Sequence, residues 1–180
     1  MLTRDQAFVL IKKYIKDQDN IKHALAVEAI LRKMAELLEK DEELWGLTGL
    51  LFNLDYEYSS GNPEERGMLA AQLLTDLLPE NGINAIKANN YMHTDYIPIT
   101  SLDKSLIATV AGVGLIFTIA RSIPSKKIGD IDLSLALAKF NNDSFAKRYN
   151  RKRILLCEDI GMQLDFFLNL CLEVMKEIPK

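Results

Sequence analysis

The stretch from Leu102 to Ala120 is apolar on nearly all of its sides. A helix of that kind has no polar face to give to water, so it belongs at the centre of a packed protein. Its most apolar part, Leu106 to Ala120, runs about fifteen residues and holds Gly112, Gly114, Thr109 and Thr118. That is short of the ~20 residues a membrane span requires. The reading is therefore a buried core helix and no membrane association.

The rest of the chain supplies helices to surround it. Thr3 followed by Gln6 reads as a capping box, in which each side chain satisfies a free backbone N–H. Ala7, Phe8, Ile11, Tyr14 and Ile15 then form one apolar face. A second helix is expected from about Asn20 to Lys40, with His23, Val27, Ile30, Met34 and Leu37 on one stripe. Asp41 to Leu51 reads as a short, mostly buried third helix. Asn62-Pro63-Glu64-Glu65 predicts a helix start, with a capping Asn, a Pro at the first position and acid against the helix dipole. That helix should end near Leu78-Pro79. Asn81-Gly82 reads as a turn, followed by a short helix to about Asn90.

Asn90 to Thr100 and Ser122 to Asp130 read as irregular, and Ile131 to Lys139 as a short helix. Asn150 to Lys176 holds a final helix or helix pair, with a break at Gly161. No βαβ alternation and no repeat appears. An all-α fold, a single orthogonal helical bundle over residues 1–180, is the expectation. The 48% hydrophobic and 26% charged composition suits one such core.

Cys157 and Cys171 lie fourteen apart, roughly 21 Å along an unbroken helix, and a disulfide needs about 7 Å. They read as reduced core residues. With an amphipathic N-terminus that lacks the apolar run of a signal peptide, this points to a cytoplasmic protein.

The net charge of −3 does not indicate a nucleic-acid partner. The charge is uneven, however. Between Arg121 and Arg153 there are nine Lys/Arg against three Asp/Glu. Ser125-Lys126-Lys127, with Arg121 before it, reads either as a phosphate-holding loop or as a screened surface patch. Arg151-Lys152-Arg153 reads as the wet face of a helix start. Asp55, Glu57 and His93 form either a new acidic cluster or part of a solvated loop. There is no Gly-rich phosphate loop and no His-Glu-x-x-His, and two histidines cannot build a three-His zinc site.

Several ordered segments carry a resemblance. They are Ile21-Lys22-His23-Ala24, Gly49 to Tyr58 (GLLFNLDYEY), Pro63 to Gly67 (PEERG), Ala85 to Tyr91 (AIKANNY), Pro124 to Lys127 (PSKK) and Asn150 to Glu158 (NRKRILLCE). Over nearly its full length the chain resembles a bacterial subgroup of the HD-domain (HDIG-like) metal-dependent phosphohydrolases. The resemblance implies an HD-like helical domain, and it carries the family's functional positions onto this sequence unevenly. His23 matches the first metal ligand. The His-Asp positions hold Phe52 and Asn53. The Asp position on the central helix holds Val110. The histidine positions of the two middle segments hold Arg66 and Asn89.

A divalent ion that activates water needs several anionic or imidazole ligands. Phe52 and Val110 donate nothing, Asn53 offers one neutral oxygen, and Arg66 repels a cation. The expectation is a catalytically impaired homologue with no metal cofactor. Its remodelled pocket would take a small anion, since guanidinium matches phosphate or carboxylate. The alternative is an active phosphohydrolase of a phosphorylated small molecule or nucleotide, holding a divalent metal with unorthodox ligands around His23, Asp55, Glu57 and His93. If the resemblance holds, His23, Phe52, Asn53, Arg66, Asn89 and Val110 should converge.

Overall fold

A computed structural model describes residues 1–59 and 61–178. Among the described residues nine α-helices follow one another: α1 Arg4–Tyr14, α2 Gln18–Leu37, α3 Glu42–Leu51, α4 Met68–Leu73, α5 Glu80–Ala88, α6 Ser101–Ser122, α7 Leu133–Phe140, α8 Arg151–Ile154 and α9 Leu164–Glu177. Short 3₁₀ turns lie at Pro63–Glu65, Ile128–Asp130 and Leu155–Ile160. Among the described residues there is no strand, so the protein is all-α.

The caps follow elementary hydrogen-bond needs. Thr3 and Gln6 form the reciprocal box at α1, with Oγ1 accepting from the Gln6 amide at 3.3 Å and Oε1 from the Thr3 amide at 2.9 Å. Asp41 caps α3 through the Leu44 amide. At α6, Thr100 and Asp103 form a second box. Helix α3 is buried from Leu44 to Leu51, as its sequence requires.

Helix α6 is the axis of the fold. It packs against α2, α5, α8, α9 and the Leu155–Ile160 turn, while α2 packs on α3 and α9. Thr100 caps it six residues before the apolar run, so it reaches 22 residues. By length and composition it is therefore long enough to cross a membrane, contrary to the fifteen-residue reading. Of its most apolar window, 72% is buried within the fold.

Three local expectations need correction. The Asn62-Pro63 start yields only a 3₁₀ turn, and Asn62 makes no side-chain cap. The chain then breaks at Gly67, whose φ of +83° is left-handed, before α4 begins. Gly67 has a second constraint, because a Cβ there would lie 2.8 Å from the Ile86 carbonyl oxygen. Asn81-Gly82 is no turn but part of the first winding of α5. The absent side chain at Gly82 lets α5 approach Leu78 and Thr48.

The stretch after Asn150 divides into α8, a 3₁₀ turn and α9, with the break at Gly161. The straight-helix separation of Cys157 and Cys171 consequently does not apply. Both thiols are free and buried, and a charge on Cys157 would disfavour one on Cys171.

Candidate functional site

A cavity of about 500 Å³ opens where several helix ends meet the middle of α6. Its wall includes Asn20 and His23 from the start of α2, Phe52 and Asn53 after α3, and Arg66 and Gly67 before α4. Asn89 and Asn90 come from the end of α5, and Val110 and Ala111 from α6. His23, Phe52, Asn53, Arg66, Asn89 and Val110 thus all line one cavity. His93 lines it as well. Asp55, Glu57, Lys126 and Lys127 do not.

His23 is held in the neutral form. Its Nε2 lies 3.2 Å from the Val110 carbonyl oxygen, an atom that only accepts. Nε2 therefore carries the proton and Nδ1 the lone pair. The rings of Phe52 and Phe117 stand 5.8 and 6.2 Å from the imidazole. This enclosure pushes the His23 pKa down to about 4, against the smaller raising effect of the Val110 carbonyl. Beside it, Phe52 is buried and fills volume with hydrocarbon.

Asn53 is 4% exposed, and its Oδ1 has no hydrogen-bond partner among the described residues. A buried amide oxygen without a partner is costly.

Arginine dominates the charge of the wall. Arg66, Arg148 and Arg153 line it together with His23 and His93, and among the described residues no Asp or Glu does. Each guanidinium lies over a tyrosine ring: Arg66 over Tyr56 at 4.7 Å, Arg148 over Tyr149 at 4.8 Å and Arg153 over Tyr91 at 5.8 Å. Stacking holds the cation by its face and leaves the N–H edge available. Among the described residues, none of the three makes an ion pair. The Arg66 Nε is buried without a partner. Arg153 donates to the Asn89 Oδ1 at 2.7 Å, and burial lowers its pKa.

Of the two readings of Asp55, Glu57 and His93, the acidic cluster does not form. The Asp55 Oδ2 accepts from the amides of Gly67 at 2.7 Å and Ala70 at 3.0 Å, capping α4 from outside its own segment. Burial raises the Asp55 pKa, opposed by those amides and then by the charge of Arg66. The Glu57 Oε1 accepts from the amides of Lys16 and Asp17 at 2.6 and 2.9 Å, fixing the turn before α2. Both carboxylates are structural. Lys126 and Lys127 stand exposed on the loop after α6, away from the cavity.

The Arg151-Lys152-Arg153 run is likewise more than a wet helix face. Arg151 donates to the carbonyls of Lys139, Phe140, Asn142, Phe145, Ala146 and Tyr149, at 2.7 to 3.3 Å. One side chain thereby organises the irregular segment from Asn141 to Asn150. That segment carries Arg148, Tyr149 and Asn150 into the cavity wall. Tyr149 seats its ring on α6 at Gly114, where a Cβ would overlap it. Sequence reading missed these wall residues, and the excess of positive charge between Arg121 and Arg153 was the available signal.

The residues that the resemblance would place at metal-ligand positions do not fit a divalent ion. Phe52 and Val110 have no donor atoms in their side chains, Asn53 supplies a neutral amide, and His23 offers a single imidazole lone pair, on Nδ1, which is too few ligands for a divalent ion. Arg66 adds positive charge to the same wall. Among the described residues, no three His, Cys, Asp or Glu side chains gather as a metal site would need.

Comparison with known proteins adds no relative. No family model, no curated protein and no solved structure matches the chain.

Proposed function

We propose that this protein binds a small phosphate- or carboxylate-bearing molecule in the cavity beside α6, on an HD-like scaffold that does not act as a metal-dependent hydrolase. One observation carries the reading. Three arginines face a single cavity that has no carboxylate on its wall. Arg148 is exposed, but burial lowers the pKa of Arg153, and a guanidinium withdrawn from water without a counter-charge costs several kcal/mol. A bound anion offsets that cost through charge-assisted, often bidentate hydrogen bonds.

The HD-like part of the proposal draws support from the six positions carried over by resemblance, all of which line this cavity. Loss of metal chemistry follows from the donor set. The hydrolase reading built on Asp55 and Glu57 lacks carboxylates on the cavity wall, since neither residue lines it and each has one oxygen accepting backbone N–H groups.

Calorimetric titration tests the binding. Phosphate, pyrophosphate and citrate are titrated into the wild-type protein and into Arg153→Met. At least one anion should bind with one-to-one stoichiometry, and the variant should weaken it roughly 10- to 100-fold, the range for a charged hydrogen bond. Absence of saturable binding by all three, or full affinity in the variant, would contradict the proposal. The scaffold is tested separately with the triple variant Phe52→His, Asn53→Asp, Val110→Asp. It should acquire affinity for a divalent ion if these positions correspond to the HD ligands. A folded triple variant without metal affinity would count against the HD-like reading alone.

A further inference from the structure

We propose that Asn89 is a specificity-determining residue, which reserves the Arg153 side of the cavity for the unprotonated oxygens of an anion. It does so by holding the guanidinium through a neutral oxygen while turning its own N–H groups toward the ligand. The proposal rests on the anion-binding reading above and adds which ligand group this side of the cavity accepts.

Both side chains line the cavity. The Arg153 Nη2 donates to the Asn89 Oδ1 at 2.7 Å. A guanidinium has donors only, so the Asn89 atom that faces it is the oxygen. That bond fixes which way the amide is turned and spends its one acceptor atom. Among the described residues, the Asn89 Nδ2 and the Nε and Nη1 of Arg153 make no hydrogen bond, and none of the three is shut off from solvent. What the pair has left to offer is N–H.

The amides of this wall are not interchangeable. Asn90, the next residue, gives its Nδ2–H to the Pro63 carbonyl at 2.7 Å and keeps its oxygen. Asn89 does the reverse. The guanidinium is also steadied by the Tyr91 ring, 5.8 Å away and two residues beyond Asn89. The end of α5 and the turn after it thus set both the plane and the free edge of Arg153.

The neutrality of Asn89 matters as much as its position. A carboxylate at this place would hold Arg153 equally well, but it would cancel the charge and replace the N–H groups with an acceptor. With the amide, the charge of Arg153 stays available to a ligand.

Sulfate and hydrogenphosphate test this directly. Above neutral pH both are dianions of similar size, but sulfate carries acceptors alone and hydrogenphosphate keeps one O–H donor. Each is titrated calorimetrically into the wild-type protein, Asn89→Ala and Asn89→Asp, with folding checked by circular dichroism. Asn89→Ala loses the Nδ2–H donors and the hold on Arg153, and should weaken both ions alike, by about 10-fold. Asn89→Asp keeps an oxygen for Arg153 but puts a charged acceptor beside the ligand. It should weaken sulfate about 10-fold more than hydrogenphosphate, whose O–H the new carboxylate can accept.

If Asn89 only orients Arg153, Asn89→Asp binds both ions as wild type does, and the proposal is overturned. An unchanged ratio of the two affinities in Asn89→Asp, or wild-type affinity in Asn89→Ala, overturns it as well. Should Asn89→Asp fail to fold, Asn89→Ala decides. If neither ion binds wild type while pyrophosphate or citrate does, this proposal falls alone. If none of the four binds, the anion-binding reading itself falls.

Discussion

The Asp55 carboxylate lies 2.7 Å from the backbone amide of Gly67, twelve residues downstream. With a second bond to Ala70 it does for α4 what a local N-cap does for other helices, but from a different segment. It also fixes Arg66, the residue before Gly67, on the cavity wall. Asp55→Ala should therefore destabilise the protein by about 2–4 kcal/mol, the effect of losing buried, charge-assisted bonds. Asp55→Asn retains an oxygen acceptor and should cost less. Urea denaturation of both variants checks the order. Equal stability in wild type and Asp55→Ala would refute the capping role.

Arg151 has a corresponding role for another part of the wall. Its six carbonyl contacts hold the segment that presents Arg148 and Tyr149. Arg151→Met should lower stability by about 2–3 kcal/mol and speed amide exchange in residues 141–150. Gly114→Ala should act on the same wall by pushing away the Tyr149 ring. Hydrogen exchange followed by mass spectrometry reads both variants. Unchanged exchange in Arg151→Met would contradict the account of this loop.

Acid should expose the enclosure of His23. Its folded pKa is pushed down to about 4, below the ordinary value of 6.5. The unfolded chain therefore takes up a proton first as the pH falls. The stability contributed by neutral His23 is fully present above pH 6.5 and is lost as the pH falls toward 4. Asp55 acts oppositely, because its raised pKa favours protonation in the folded state. The comparison that isolates His23 is wild type against His23→Gln. Wild type should lose more stability between pH 7 and pH 5, by on the order of 1–2 kcal/mol. Parallel pH profiles in the two proteins would show that the imidazole is not held neutral.

Much of the helical order was legible because its causes are local. Thr3 and Gln6 lie three residues apart, Asp41 stands directly before α3, and the apolar run of α6 admits no surface position. The failures have distant causes. The helix start at Asn62 lost to a cap supplied by Asp55, whose role depends on how α3 ends. Asn81-Gly82 carries turn chemistry, but close approach of Thr48 and Leu78 places the glycine inside a helix. Glu57 stood as a candidate for an acidic cluster because nothing in the sequence shows the amides of Lys16 and Asp17 beside it. In the cavity, the six positions carried by resemblance were legible. Arg148 and Tyr149 were not, since their place depends on the carbonyl contacts of Arg151.

The central claim is that arginines, and no metal, define the chemistry of this cavity. The most direct measurement is a crystal structure of the protein soaked in tungstate, a heavy analogue of phosphate, with anomalous data collected at the tungsten edge. The account predicts a tungsten peak inside the cavity, within hydrogen-bond reach of the Arg66 and Arg153 guanidinium groups. A tungsten peak confined to the exposed Lys126-Lys127 loop, or a bound divalent metal beside His23, would contradict it.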